Sequence, residues 1–250
     1  MDLITAIENR ISCRAYAGRP VEAETFGALE TLVQSLNAES GLHFQLYGPR
    51  AEGQDAITMN AAMFSGPVYC YAALAAPADP LSGEKVGYCG ERLVLEATAM
   101  GLGTCWVAST YDQKTTRAEL AEGEKLWDVI PIGYAAAKTP LKQKTIRAAI
   151  RAKSRKPEQM ADSDKPWQEL PEWFREAVKA VGKGPSAVNR QPVVLRWRDG
   201  KITAGLRSTE YDIVYNDLGI AKLHFELAAA ANGISGHWED GVDGEFAYQA

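Results

Sequence analysis

The sequence predicts a mixed helix and strand fold that is built from two related helix–strand–helix halves. The chain has 250 residues, which is enough for two compact units with a buried core each. Apolar stretches of helical and of strand periodicity follow one another along it. A segment of the first half also recurs in the second half. The composition agrees with a soluble globular protein, since 46% of the residues are hydrophobic and 24% are charged.

The first half contains three predicted helices and several strand candidates. Apolar spacing predicts short helices over residues 2–10 and about 22–36, and a long helix from about Lys85 to Met100 that ends at the Gly101–Gly103 pair. The strand candidates are LHFQLYG, the buried stretch GPVYCYAALAA, the segment TCWVAS, and the buried stretch DVIPIGYAAA.

A basic, polar segment over residues 138–165 follows these strands, and its composition predicts a solvated connector. Behind it we expect a helix near 171–181, the strand VVLRW, a turn at Asp199–Gly200 and a final helix near 218–231.

The internal repeat relates the two long helices and the residues that follow them. Gly87 aligns with Gly219, Gly101 with Gly233 and Trp106 with Trp238 at a constant offset of 132 residues. Chance similarity between two alanine-rich helices is the alternative. The matching glycines and tryptophans favour a true repeat.

Charge and cysteine usage narrow the function classes. The formal net charge is −5, from 27 Lys and Arg against 32 Asp and Glu, which argues against nucleic acid or an anionic membrane as the main partner. The four cysteines form no CxxC pair, so we expect no metal site, and Cys70 and Cys105 lie in apolar runs typical of buried thiols. No secretory signal or membrane-spanning run is visible, so the cytoplasm is the expected location.

Two arginine-containing stretches could bind an anion. In RISCRAY, alternate residues of an extended chain share a face, so Arg10, Ser12 and Arg14 could converge on one phosphate. In KSRKP, Lys153 and Arg155 provide a second basic pair. Solvated surface charge is the alternative interpretation of both.

Two further stretches could contact a flat ligand. GLGTCWVAS ends a helix with two glycines and leads into Trp106–Ser109, although a plain helix cap is the alternative. Between Pro185 and Pro192, Ser186, Asn189 and Gln191 provide short polar groups in a turn, which could instead satisfy one another.

Taken together, these four motifs resemble the flavin site of the nitroreductase family, and the resemblance covers nearly the whole chain. It implies an α+β fold, FMN as cofactor and NAD(P)H as the reductant. It also implies that Arg10, Ser12, Lys153 and Arg155 hold the FMN phosphate. Arg14 would lie near the pyrimidine edge of the flavin, where a cation raises its reduction potential.

The same resemblance assigns the remaining site residues. Trp106, Val107, Ala108 and Ser109 would run beside the flavin ring, with a backbone N–H of Ala108 or Ser109 directed at N5. Pro185, Ser186, Asn189 and Gln191 would pack on the ring or the ribityl chain. This sequence departs from the usual family pattern in having Ala108–Ser109 for Glu–Gly, Ala187 for Ser and Val193 for Trp. These departures affect the substrate pocket, one polar contact and part of the packing.

The order of the motifs differs from that of homodimeric relatives, where the Pro-Ser turn follows soon after the arginine motif. Here LNAESGLHFQL occupies that place, and the turn lies in the second half. We therefore expect an intrachain pseudo-dimer: residues 1–160 carry the phosphate and flavin-edge motifs, and residues 161–250 carry the turn. Such a chain would be a monomer with one complete site.

The resemblance implies an FMN-dependent oxidoreductase that passes electrons from NAD(P)H through flavin N5 to a nitroaromatic, a quinone or a similar small acceptor. Two alternatives remain open at this stage. One is a module that binds or stores FMN without significant turnover, and the other is an interaction protein with an empty, degenerate site.

Overall fold

The computed structural model describes residues 1–51, 53–114, 116–138, 140–152 and 154–249, with the backbone alone for residues 142, 146, 147, 150 and 151. The helices in this part of the chain are α1 (Leu3–Asn9), α2 (Ala23–Ser40), α3 (Pro80–Ala99), α4 (Leu141–Arg151), α5 (Pro157–Met160), α6 (Glu172–Val181) and α7 (Ile213–Ala231). None of these helices combines the length and the apolar character that crossing a membrane takes.

The strands form two sheets. The first sheet has the order β1-β2-β4-β3 and the second β5-β6-β7-β9-β8. Their bounds are β1 (His43–Tyr47), β2 (Cys70–Pro77), β3 (Gly103–Thr104), β4 (Glu124–Gly133), β5 (Ala161–Ser163), β6 (Val193–Arg198), β7 (Lys201–Leu206), β8 (Ser235–Trp238) and β9 (Gly244–Gln249). All pairs are antiparallel except β5 with β6. The α+β prediction is therefore confirmed.

The chain divides into two compact units that each contain one sheet. Unit 1 comprises Met1–Ala78 and Arg92–Ala148, and unit 2 comprises Asp79–Glu91 and Ala149–Ala250. This division differs from the predicted halves 1–160 and 161–250 in two places. Residues 149–160 belong to unit 2, and so do the first turns of α3, which pack with α7. The strand orders β1-β2-β4-β3 and β6-β7-β9-β8 nevertheless correspond.

Unit 1 is organised around β2, which lies between β1 and β4. Its residues from Cys70 to Ala76 are buried, as the unbroken apolar run predicts. Cys13, Tyr16, Tyr71, Cys105 and Val129 belong to a core cluster in this unit.

Unit 2 has an aromatic core between its sheet and its helices. Phe174 of α6, Phe225 of α7 and Trp197 of β6 are buried, and their rings meet edge to face at centroid separations of 5.1 to 5.8 Å. Aromatic pairs favour this geometry, and large rings dominate the area that a core of this size buries.

The repeat has a counterpart in how the two long helices end. Leu102 donates its N–H to the Ala97 carbonyl at 2.9 Å, and Ile234 donates to the Ala229 carbonyl at 3.0 Å. Gly101 and Gly233 both have φ of 82°, a left-handed conformation that glycine adopts without strain. Both helices thus end in the same glycine-dependent cap, and a strand follows each of them at the same offset.

Three of the predicted helices are shorter than the observed helices, each at one end. Helix α2 continues to Ser40, where Gly41 with φ of 72° ends it. Helix α3 begins at Pro80, because the Asp79 carboxylate accepts hydrogen bonds from the N–H and hydroxyl of Ser82 at 2.9 and 2.7 Å. Helix α7 begins at Ile213, five residues before the predicted start.

The prediction of a solvated connector over residues 138–165 is wrong. Most of it forms α4, α5 and β5. Composition alone misled here, since Lys and Arg are good helix formers and Pro140 and Pro157 stand at helix starts, where proline is favoured.

Candidate functional site

The arginine loop, residues 10–16, leaves the end of α1 as extended chain. Ser12 forms a parallel bridge with Thr104, and Cys13 donates its N–H to the Thr104 carbonyl at 2.7 Å. The side chains alternate, as expected for this conformation: Cys13 is buried, whereas Ser12 and Arg14 are half-buried. Pairing with the strand after α3 therefore fixes the direction of the polar side chains.

Arg10, Ser12 and Arg14 all act on the buried thiol of Cys105. Burial raises the pKa of Cys105, whereas the positive charges of Arg14 and Arg10 and a hydrogen bond with Ser12 lower it. Two guanidinium groups and a hydroxyl therefore act on one thiol of unit 1. This donor set has the chemistry that binds a phosphate, because charge-assisted bonds from arginine suit phosphate oxygens.

Gln143 of α4 is a contact of this loop that the sequence interpretation missed. Its Nε2 donates to the Arg14 carbonyl at 2.6 Å and to the Ser65 hydroxyl at 3.3 Å. The Arg14 carbonyl also accepts the Ser65 N–H at 2.9 Å. Because the composition of the basic segment favours a connector, it gives no sign of this role.

In the segment Trp106–Ser109 the first residue is half-buried, the second is buried and the last two are exposed. Val107 is buried and exchanges both backbone hydrogen bonds with Val129 of β4, each at 3.0 Å. Ala108 and Ser109 are exposed. The sheet therefore holds Val107, and the two residues predicted to present a backbone N–H follow at the surface of unit 1.

The Pro185–Pro192 turn of unit 2 has an unusual backbone. Val188, Asn189 and Gln191 have φ values of 45°, 56° and 47°. Residues with a Cβ avoid this left-handed region. Each one strains the fold by on the order of 1–3 kcal/mol, so it persists only where other contacts hold it. Of these residues Val188 is 76% exposed, so core packing does not explain its conformation.

Hydrogen bonds inside unit 2 hold this turn. The Gln191 N–H donates to the Ser186 hydroxyl at 3.0 Å, and the Gln191 Nε2 donates to the Gly182 carbonyl at 3.0 Å. The side chain of Gln191 is only 4% exposed. Gln191 thus fastens the turn from inside, whereas Pro185, Ser186 and Asn189 are half-buried.

The structure also brings the turn together with the basic pair. Arg155 donates its N–H to Gln191 Oε1 at 2.6 Å and its Nε to the Gln191 carbonyl at 3.3 Å, and Asn189 Nδ2 donates to the Ser154 hydroxyl at 3.1 Å. Lys153, the other basic residue predicted here, lies outside the described residues. Two motifs that are 36 residues apart therefore form one cluster in unit 2.

Asp217 of α7 is a second residue that the sequence interpretation missed. Its two carboxylate oxygens accept the Ala187 N–H at 3.1 and 3.3 Å, and the residue is 5% exposed.

Among the described residues, no group of three or more His, Cys, Asp or Glu could hold a metal ion.

Three solved structures are similar to this chain, and the first of them supports the fold. A "putative nitroreductase" from Thermotoga maritima is 22% identical, with a TM-score of 0.64 over 99% of this chain and 93% of that one. A nitroreductase family protein from Clostridium difficile is 18% identical, with a TM-score of 0.44 over 68% of this chain and 100% of that one. A nitroreductase with bound FMN from Bacteroides fragilis is 18% identical, with a TM-score of 0.42 over 56% of this chain and 92% of that one.

The family assignment rests on the sequence. Among curated proteins no match is found. The model of the family described as "Putative TM nitroreductase" matches residues 2–229, which is nearly the whole chain. The motifs of the arginine loop, the segment after α3, the basic pair and the Pro-Ser turn all lie within that match, and the chain therefore belongs to this nitroreductase family.

Proposed function

We propose that the protein is an FMN-dependent oxidoreductase that passes electrons from NAD(P)H to a small acceptor such as a nitroaromatic or a quinone. Membership of a nitroreductase family supports an oxidoreductase. The observation that carries the FMN assignment is the extended arginine loop paired with Thr104, in which Arg10, Ser12 and Arg14 alternate with the buried Cys13 and act on the Cys105 thiol, because these donors suit a phosphate.

The phosphate of FMN carries close to two negative charges at neutral pH. Arg10 and Ser12 are the proposed ligands in unit 1, with Lys153 and Arg155 as the proposed ligands from the basic pair. Arg14, whose carbonyl is held by Gln143, is proposed to place its cation near the pyrimidine edge. A charged hydrogen bond contributes about 1.5–3 kcal/mol, so two or three of them account for tight retention of a phosphate.

Several residues are proposed to orient the ring system rather than its phosphate. FMN, when bound, supplies hydride acceptance and donation at N5. The chain is proposed to contribute Trp106 and the backbone of Val107, Ala108 and Ser109 along the ring, with an N–H of Ala108 or Ser109 directed at N5. Pro185, Ser186 and Asn189 are proposed to cover the ring and the ribityl chain. Gln191 is proposed to act by holding this turn, since its side chain is buried.

We further propose that one chain is sufficient for one site, as an intrachain pseudo-dimer that works as a monomer in the cytoplasm. Mixing an Arg10→Ala chain with an Asn189→Ala chain tests this proposal. Two chains that exchanged their turns would regenerate one intact set of motifs and recover FMN binding. Self-contained chains each keep one defect, so the proposal expects no recovery.

Anaerobic reduction separates the proposed enzyme from a flavin-storage module. The protein loaded with FMN is mixed with NADPH or NADH without oxygen, and the visible flavin band is followed in a stopped-flow instrument. Bleaching within seconds, followed by return of the band when a quinone is added, is the expected result. Bound flavin that bleaches no faster than free FMN would favour the storage module instead.

A further inference from the structure

We propose that Asp217 is a positioning residue for the flavin: its carboxylate anchors the Ala187 N–H and so keeps the Pro185–Pro192 turn in its left-handed conformation. This inference rests on the proposed function, in that the ligand which the turn meets is FMN. The anchor itself is a property of unit 2 and can be tested without flavin.

One acid, Asp217, binds the backbone N–H next to the left-handed residues of the turn. Asp217 lies 30 residues beyond Ala187 in the sequence, on α7, and both of its oxygens face the same N–H at 3.1 and 3.3 Å. Ala187 is followed at once by Val188 and Asn189, which have φ of 45° and 56°. The contact therefore holds the residue directly before the left-handed pair.

The backbone hydrogen bonds within the turn do not attach its Ala187 end to the rest of unit 2. Asn189 donates its N–H to the Ser186 carbonyl at 2.9 Å, and Arg190 donates to the Ala187 carbonyl at 3.0 Å. These bonds close two overlapping tight turns and do not attach the turn to the rest of unit 2. Gln191 attaches its far end, and Asp217 attaches its near end. Left-handed residues persist only where surrounding contacts hold them.

The surroundings of Asp217 are mostly neutral. Below the turn, a small cavity is also lined by Met160, Val181, Val193, Ile220 and Ala221. Arg190 of the turn is the charged group that acts on Asp217. Two turns further along α7, His224 reaches towards Gly184, and its ring nitrogens bind Ala180 and Glu91 at 3.0 and 2.9 Å.

The ionised carboxylate is the form that holds the turn. Burial raises the pKa of Asp217 to about 7, while the Ala187 N–H and the charge of Arg190 lower it. Since the Ala187 contact favours the ionised form, ionisation must favour the contact to the same extent. Anchoring should therefore weaken as the pH falls through about 7.

Hydrogen exchange of the apoprotein, followed by NMR at pH 8, tests the anchor without any flavin. The variants are Asp217→Ala, Asp217→Asn and the control Glu210→Ala, which removes an exposed acid before α7. We expect Asp217→Ala to raise exchange at Ala187 roughly tenfold or more, as for the loss of one charged hydrogen bond. Asp217→Asn keeps an acceptor and should restore part of the protection, and the control should change nothing. Equal protection at Ala187 in wild type and Asp217→Ala would overturn the anchor.

Titration of the apoprotein with FMN at pH 6 and pH 8 tests the role in binding. The change in phosphate ionisation is common to wild type and Asp217→Asn, so the ratio of their affinities isolates Asp217. We expect this ratio to be about fivefold larger at pH 8 than at pH 6, from the difference between a charged and a neutral hydrogen bond. The same ratio at both pH values would refute the positioning role. If neither protein bound FMN, the proposed function would fail, and the exchange experiment would still decide the anchor.

Discussion

Arg155 donates its backbone N–H to the buried Oε1 of Gln191 at 2.6 Å, which joins the basic pair to the Pro-Ser turn. The amide side chain of Gln191 also reaches the Gly182 carbonyl on its other side. A glutamine predicted from the family pattern to touch the flavin is therefore the clamp that holds two proposed flavin-binding segments together.

The hydrogen bonds of Gln191 predict that replacing Gln191 and replacing Asn189 have different effects. Gln191→Ala leaves the Arg155 N–H and the Gly182 carbonyl without their partner, and a lost buried partner costs about 1–3 kcal/mol. We expect it to lower the free energy of unfolding of the apoprotein and also to weaken FMN binding. Asn189→Ala, at a half-buried position, should weaken FMN binding and lower stability less than Gln191→Ala does. Urea denaturation and flavin titration measure the two effects. The reverse pattern would show that Gln191, and not Asn189, is the flavin contact.

The proposed role of the arginine loop predicts that replacing Arg10 selectively weakens recognition of the FMN phosphate. Arg10→Ala should weaken FMN binding roughly tenfold or more, since one charged hydrogen bond contributes about 1.5–3 kcal/mol. Binding of riboflavin, which lacks the phosphate, should change much less. Arg19→Ala is the matched control, because it removes an arginine that instead stacks on Tyr134. Equal losses for FMN and riboflavin would place the phosphate elsewhere.

The raised pKa of Asp217 predicts that the stability of the fold and the anchoring of the turn respond to pH in opposite directions. Its pKa is raised from 3.8 to about 7, so the folded chain binds this proton more tightly than the unfolded chain. The resulting contribution to stability is fully present below about 3.8 and is lost as the pH rises through about 7.

Asp217→Asn should consequently be more stable than wild type at pH 8, by roughly 1–4 kcal/mol, and similar to it at pH 4. A carboxylate whose ionised form stabilised the fold would instead lose stability on substitution by Asn. Thermal denaturation across this pH range measures the difference. A variant that is less stable than wild type at pH 8 would contradict the buried ionisation.

The crossing of α3 and α7 in unit 2 predicts which glycines cannot be replaced. A Cβ on Gly87 would lie 2.0 Å from the Asn216 carbonyl oxygen, and one on Gly219 would lie 1.9 Å from the Glu84 carbonyl oxygen. The helices would have to separate, so Gly87→Ala and Gly219→Ala should each destabilise by about 1–3 kcal/mol or more.

Gly27→Ala in α2 is the control for this pair, since no neighbouring atom lies within 4 Å of the position that its Cβ would take. It should stabilise the protein by about 0.5–1 kcal/mol, because alanine favours the helix over glycine. Denaturation curves of the three variants measure these changes, and a neutral Gly219→Ala would contradict the close crossing.

The sequence predicted those parts of the fold that have local signals. Gly101 and Gly233 mark helix ends because the left-handed cap favours glycine, and the apolar run of β2 marks a buried central strand. The start of α3 was missed although Asp79 and Pro80 are a capping residue and a first-turn proline. The basic segment was missed because charge patterning describes exposure and does not exclude a helix.

Residues of the candidate site could be named from the sequence, but the orientations of their side chains could not. The motif identifies Gln191 but does not say that its amide points into unit 2. Asp217 had no signal at all, because an acid in the apolar stretch of α7 gives no hint of an N–H group 30 residues earlier. Such contacts depend on tertiary structure, and the sequence carries no local pattern for them.

The central claim is that this chain binds FMN with its own residues and uses it as a redox group. The most direct measurement is titration of the purified apoprotein with FMN, with the flavin extracted afterwards and quantified against protein. The account predicts saturation at one FMN per chain, because each motif occurs once, and loss of that binding in Arg10→Ala. No saturable binding of FMN, or two flavins per chain, would contradict it.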